Sequence, residues 1–464
     1  MKRHTYSIAA RPVFLLFLLA WAHAGFAQQP TFAPFHANGI YDPGEKVGWT
    51  ATLPPSNAVP SGPYTYTIRK NNFGDPIKSG SLDLSGGTAT IELTFPEPAM
   101  LFVQVAAPPV PPNPAPVATN APTEGAAAAR GALPARGGRG LGGRGGMTLG
   151  AAVAPTKLQP AATRPTDFDA FWEAKIKSLD QIPMNPVLTP TNASRPGIEF
   201  ATFKLDSVGS NVRGYFAKPA REGKFPAIVI FQWAGVYAVP NAEVQTRASE
   251  GWLALNVDSH DKEPSVATGP PNNYQSLGNT NRETSYFLNM YLRDYRALEY
   301  ITSRPEWDGQ TLVVMGTSMG GQQSFCLAGL HPKVTHLIIH VPSGADSNGP
   351  LHDRASGYPN WPSANPAIME TALYFDTVNF ASRIKATSLV SMGFIDTTSP
   401  PAGVWTAFNQ IQGPKEVAPM PLAGHNNVST AAQMLPFTAR ATEWLNALVK
   451  GEAVQPDSTK ALPR

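Results

Sequence analysis

Ser318 stands where an apolar, β-branched run, Leu312-Val313-Val314-Met315, breaks at Gly316-Thr317-Ser318-Met319-Gly320 into the helix-compatible Gly321-Gln322-Gln323. A serine hydroxyl is a weak nucleophile until a base stands beside it. The G-x-S-x-G elbow lifts the hydroxyl above a sheet on a sharp strand-to-helix turn. Small residues two positions either side let strand and helix approach each other. The backbone N–H of Met319, opening the helix, can then point at a developing oxyanion. An ordinary serine on a glycine-containing turn would look the same over these five residues, so the partners decide.

The hydrolase that uses this elbow places its acid and then its histidine after the serine. Of the nine histidines, those after Ser318 are His331, His336, His340, His352 and His425. His331 and His336 flank the turn into the next strand and His340 lies within it, which suits structural roles. His425 follows a credible acid and occupies a loop, Leu422 to Asn427, between the last strand and the last helix. Asp396 lies just past the strand Thr387 to Met392, where a strand end delivers a carboxylate to the sheet edge beside the elbow. Asp346, in the loop after the preceding strand, is the alternative acid; Glu416 begins a strand and is badly placed. The second oxyanion donor is expected from the loop Gln232-Trp233-Ala234-Gly235-Val236-Tyr237, through the amide of Ala234 or its neighbour Trp233. Trp233 and Asp346 are also candidate pocket residues.

No metal or cofactor is implied. The single cysteine, Cys326, excludes an internal disulfide and thiolate zinc sites, and no H-E-x-x-H spacing occurs. Cys326 falls on the helix after Ser318 and reads as a small buried residue. A net charge of +3 without a basic, aromatic-interleaved stripe argues against nucleic acid as a partner.

Elements able to position these groups follow from periodicity. Asp167 to Leu179 reads as an amphipathic helix, and Ile198 to Val208 with Val212 to Ala217 as an antiparallel pair. Pro226 to Gln232, Leu253 to Asp258, His336 to Val341, Thr387 to Met392 and Glu416 to Met420 read as buried strands. Helices are expected at Ser285 to Ser303 and Ala431 to Val449. Strands alternating with helices predict an α/β domain over 164–450, with a mainly parallel sheet covered on both faces. Residues 451–464 read as a flexible tail.

Upstream the texture is all-β. Lys46 to Ala51, Tyr64 to Arg69, Ser79 to Leu84, Thr88 to Phe95 and Met100 to Val105 predict a small, Ig-like sandwich over 28–155. Residues 107–146 are Pro-, Ala- and then Gly/Arg-rich, a composition that cannot bury enough apolar area to order itself. After it, Met147, Leu149, Ala151 and Val153 alternate with small or polar residues, the period of a half-buried strand. The segment 107–146 is therefore expected to be a flexible insertion between two paired strands of one domain, with 156–163 as the short interdomain connection. Residues 1–27 read as a secretory signal: Lys2, Arg3 and Arg11, then the apolar Pro12 to Ala22, then a cleavage site after Ala24 (Ala22-His23-Ala24) or, preferred, after Ala27 (Gly25-Phe26-Ala27). No later run approaches membrane-spanning length, so an exported protein is expected, periplasmic or secreted.

Over about 165–450 the chain resembles the acetyl xylan esterase and cephalosporin C deacetylase family, carbohydrate esterase family seven. The resemblance is carried by Pro165 to Trp172, Asp294-Tyr295-Arg296-Ala297, Gly316 to Gly321, Tyr374 to Ala381, Gly393 to Pro401, Gly413-Pro414-Lys415-Glu416 and Gly424-His425. It implies an α/β-hydrolase fold, triad roles for Ser318, Asp396 and His425, and short acyl, chiefly acetyl, esters on sugars as substrates. The chain departs from the family where glutamine commonly follows the nucleophile, here Met319, and where His-Gly-Tyr forms the first oxyanion loop, here Gln232-Trp233-Ala234. The family's simpler members lack the β-domain, so their hexameric ring is not carried over and the oligomeric state stays open. Two other functions are compatible with the same residues: hydrolysis of peptide or lipid esters, and an inert carbohydrate-binding protein.

Overall fold

The computed structural model describes residues 29–54, 62–108, 146–269 and 272–463. The leader-like 1–27 and nearly all of the low-complexity 107–146 lie outside the described residues.

The N-terminal strands are β1 (Thr31–Pro34), β2 (Ile40–Tyr41), β3 (Lys46–Thr52), β4 (Tyr64–Lys70), β5 (Lys78–Leu82), β6 (Thr88–Thr94), β7 (Ala99–Ala106) and β8 (Met147–Val153). They form two sheets, β1-β3-β6 and β2-β8-β7-β4-β5. Val47, Trp49, Ala51 and Ile91 of the first face Ile68, Leu101, Val103, Leu149 and Ala151 of the second over one apolar core. Strands β7 and β8, on either side of the low-complexity segment, pair antiparallel from Ala99↔Val153 to Val105↔Met147.

The rest of the chain builds one layered unit. Its elements are α1 (Phe168–Asp180), β9 (Val187–Pro190), β10 (Ile198–Ser207), β11 (Ser210–Pro219), β12 (Phe225–Phe231), α2 (Ala242–Glu250), β13 (Leu253–Asp258), α3 (Tyr286–Ser303) and β14 (Trp307–Thr317). They continue with α4 (Met319–Leu330), β15 (His336–His340), α5 (Pro366–Ala372), α6 (Thr377–Ala381), β16 (Thr387–Gly393), α7 (Pro401–Gln410), β17 (Lys415–Met420) and α8 (Ala431–Leu448). The nine-stranded sheet has the order β17-β16-β15-β14-β12-β13-β11-β10-β9. From β13 to β17 all pairings are parallel, while β9, β10 and β11 form an antiparallel edge.

Successive strand residues alternate between the two faces, as the pleat requires. Ala227, Val229, Leu312, Val314, Leu337, Ile339 and Val390 point into the core shared with α1, α3, α4, α6 and α7. Ile228, Ile230, Val313, Ile338 and Leu389 point into the core under α2 and α8. A parallel sheet buried on both faces needs such continuous apolar strands. Cys326 is buried in α4, as a small core residue.

The N-terminal sheets and the segment after α8 both dock on this unit. Gly39 and Gly150 lie against Phe394; a methyl group on Gly150 would come within 2.6 Å of Phe394 Cβ. Ile40, Met100 and Ala152 join the core of this unit, so the N-terminal sheets rest on the loop that follows β16. Residues 451–463, expected as a flexible tail, are held instead: Asp457 N and Lys460 Nζ donate to Glu416, and Leu462 O accepts from Asn38 Nδ2. The buried Glu416 carboxylate requires such donors, and the tail supplies two of them beside the Arg440 guanidinium.

Candidate active site

Strand β14 stops at Thr317, helix α4 starts at Met319, and Ser318 alone makes the turn, with φ 57° and ψ −121°. A left-handed backbone at a non-glycine residue is strained and persists only where its surroundings fix it. Here the amide of Ser318 donates to His340 O at 3.0 Å, and Gln322 N donates back to Ser318 O at 3.0 Å. The flanking glycines allow the close approach: a Cβ on Gly316 would meet Gly320 C at 2.3 Å, and one on Gly320 would meet Phe231 O at 2.4 Å.

The hydroxyl of this buried serine lies 2.9 Å from His425 Nε2, and His425 Nδ1 lies 2.7 Å from Asp396 Oδ2. Asp396, 2% exposed, also accepts the amides of Thr398 and Ser399 on Oδ1, both at 2.8 Å. Its carboxylate is thus oriented from both oxygens. The loops that carry Asp396 and His425 are tied together by Ile395 N donating to Ala423 O at 3.1 Å. Gly393 has no room for a side chain there, since a Cβ would meet Ala423 O and Gly424 O at 2.5 Å.

The other candidates are engaged elsewhere. Asp346 forms a buried ion pair with Arg354 and accepts Ala161 N at 2.8 Å, fixing the segment that leads from β8 to α1. It does not reach His425 through any hydrogen bond, and its carboxylate faces Arg354 rather than open space. His340 contacts Ser391 Oγ at 2.7 Å and stacks on Phe437. Burial pushes the imidazoles of His331, His336 and His340 down to about 4, so they are neutral structural rings at neutral pH.

The loop after β12 sits at the same sheet edge, because Phe231 pairs with Gly316. Trp233 and Ser318 are each two residues past that pair. Gly235 N donates to Tyr274 Oη at 3.1 Å. No acceptor among the described residues meets the amides of Ala234 and Met319. Trp233 is 45% exposed and stacks on Tyr237 at 5.0 Å between centroids.

Several residues around this site carry no sequence motif. Tyr274 and Tyr358 meet through their hydroxyls at 2.8 Å, and both lie 3.3 Å from Met319 Sδ. His260, held neutral by burial with a pKa near 4, lies 3.1 Å from Gly235 O through Nε2 and 3.0 Å from Tyr286 Oη through Nδ1. Ser343 Oγ is 3.1 Å from Ser318 Oγ. These groups come from loops scattered over a hundred residues, and only the fold brings them together.

A sheet of this order, with a serine on a strained turn after its central strand and a histidine and a carboxylate on the loops beside it, defines an α/β-hydrolase of the serine type. Within that class the chain belongs to the acetyl xylan esterase (AXE1) family, which it matches over residues 155–348 and 358–446. It is accordingly a carboxylic ester hydrolase. Strands β1 to β8 lie outside the matched residues. The acetyl esterase Axe7A of Xylanibacter ruminicola is 31% identical over 318 residues, covering 64% of this chain and 70% of that protein. An acetyl xylan esterase from Paenibacillus sp. R4 superposes with a TM-score of 0.57 at 25% identity, over 64% of this chain and 98% of the other. Acetyl xylan esterase 1 from Thermoanaerobacterium sp. JW/SL YS485 shares the fold, with a TM-score of 0.55 at 21% identity, over 63% and 97%. Among the described residues no helix is long and apolar enough to cross a membrane.

Proposed function

We propose that the protein removes acetyl groups from carbohydrate, acetylated xylan or related sugars, through an acyl-enzyme on Ser318. The observation that carries this is the hydrogen-bonded line from Ser318 Oγ through His425 to Asp396 at the end of a strained elbow. In the first step Ser318 Oγ attacks the acetyl carbonyl carbon while its proton passes to His425 Nε2. Asp396 keeps the imidazole in the tautomer with Nδ1 protonated and stabilises the imidazolium. The amides of Ala234 and Met319, free of other acceptors, receive the oxyanion. As the bond to the sugar breaks, His425 protonates the departing sugar oxygen, which leaves as a hydroxyl. Water repeats the sequence, giving its proton to Nε2 as its oxygen bonds to the acyl carbon, and Ser318 leaves with that proton restored.

The acetyl and sugar preferences are supported by the family and by relatives named for acetyl ester and acetyl xylan hydrolysis. The exposed face of Trp233, braced by Tyr237 beside the oxyanion loop, suits a sugar ring. The N-terminal two-sheet unit, with its own core, supports a separate accessory domain of Ig-like sandwich type over 28–155, into which 107–146 is inserted. Export is supported by the leader-like sequence of residues 1–27.

Labelling with a fluorophosphonate tests the nucleophile. The probe should attach to one residue, and peptide mass analysis should find it on Ser318. Attachment elsewhere, or none, would remove the basis for an acyl-enzyme at this position.

A further inference from the structure

Ser318 Oγ has a second buried neighbour besides His425. Ser343 Oγ lies 3.1 Å away, and Ser399 Oγ lies 3.0 Å behind Ser343. Ser343 is 1% exposed and Ser399 4%. Ser343 is also pinned through its backbone, where its amide donates to Ser318 O at 3.1 Å. The chain is bent to bring it there. Val341, just after β15, has φ 40°, a costly conformation for a β-branched residue, and Gly344 follows with φ 69°. Strain of this kind gathers where a side chain must be aimed.

Counting protons fixes the direction of the hydrogen bonds. The Asp396 carboxylate only accepts, so His425 Nδ1 carries the proton facing it. Nε2 of the neutral ring is then an acceptor, and the one proton of Ser318 points at it. The contact between Ser318 and Ser343 must therefore be a donation from Ser343. That uses the single proton of Ser343, so Ser399 donates to Ser343 in turn. The backbone amide of Ser399 meanwhile donates to Asp396 Oδ1 at 2.8 Å, which anchors the row of hydroxyls to the acid loop.

We propose that Ser343 is a further catalytic group, a hydroxyl donor that stabilises the negative charge that develops on Ser318 Oγ while its bond to the acyl carbon forms or breaks. The proposal rests on Ser318 being the nucleophile. Ser343 exchanges no proton: the Ser318 proton goes to His425 on attack and returns from it on departure, and the Ser343 hydrogen bond strengthens as charge appears. In the acyl-enzyme, Ser318 Oγ is an ester oxygen and a poor acceptor, so the bond is weak there. Its largest effect is therefore on deacylation, in which Ser318 Oγ is the leaving group.

Pre-steady-state hydrolysis of 4-nitrophenyl acetate separates the steps. In Ser343→Ala the burst of nitrophenol per labelled site should be at least as large as in the wild type, while the deacylation rate per site falls about tenfold or more, the scale of losing one donor to developing charge. Ser399→Ala, one hydroxyl further back, should slow the same step less, about two- to fivefold. Unchanged rates per site in both variants would overturn the proposal, as would a reduced burst amplitude with normal rates per site, because that is the mark of a structural role. Should Ser343→Ala not fold, Ser399→Ala decides by the same criterion. Loss of the underlying nucleophile assignment looks different: a wild-type enzyme that Ser318→Ala leaves fully active.

Discussion

Nucleophile and base act as a unit, so Ser318→Ala and His425→Ala should each lower turnover about 10⁴-fold or more. Asp396→Asn should be nearly as severe, since an amide beside Nδ1 favours the wrong imidazole tautomer. Asp346→Asn breaks a buried ion pair with Arg354 and should lower the melting temperature while sparing kcat per folded site. The reverse pattern in the two variants would assign the acid to Asp346. Away from the site, His331 is buried against Tyr295, and burial followed by the nearby Lys333 depresses its pKa to about 4 from 6.5. Between those values the unfolded chain binds the proton and the folded one does not, so His331 removes stability as pH falls from 6.5 toward 4. Urea unfolding at pH 7 and pH 5 should show the wild type losing on the order of 1–2 kcal/mol more than His331→Asn; equal losses would place the ring in contact with solvent. At this scale the meeting of Ser318, Asp396 and His425 in one hydrogen-bonded line was legible, because each follows a strand end at one edge of the sheet. Ser343, Tyr274, Tyr358 and His260 were not, because their neighbours are fixed by tertiary contacts rather than by local pattern.

At the level of elements, the buried strands were readable from apolar runs, and the long helices α1, α3 and α8 from periodicity, to within a residue or two. Missed were β1, β2 and β9, each four residues or fewer, and the short helices α5, α6 and α7. Segments this short have little intrinsic preference and take their form from what they pack against. Strand β8 was readable through its alternation, and its full register with β7 makes the low-complexity stretch a connection between neighbouring strands. Replacing 107–146 with a short Gly-Asn turn should leave the melting temperature and activity near wild type, since loop-closure cost depends only weakly on length. Removing 147–155 as well would expose the apolar edge of β7 and strip Gly150 from Phe394, and should destabilise the chain and lower activity. Differential scanning calorimetry compares the two; identical behaviour would leave β8 without a structural role.

Over the whole molecule, the N-terminal sheets press on Phe394, two residues before Asp396, while the C-terminal segment ties down the buried Glu416 of β17. The N-terminal sheets, outside the matched residues, thus brace the loops that carry Asp396 and His425, since Gly39 lies against Pro421 as well as Phe394. Sequence pattern gave no sign of this docking, because the fit of Gly39 and Gly150 against Phe394 depends on residues far apart in the chain. Acetate release from acetylated xylo-oligosaccharides, compared between wild type and Ser318→Ala under identical conditions, bears most directly on the function. The wild type should liberate acetate at catalytic rates and Ser318→Ala about 10⁴-fold more slowly. A wild type that leaves the acetyl groups in place, or a Ser318→Ala variant that releases them at a comparable rate, would contradict carbohydrate deacetylation by this serine.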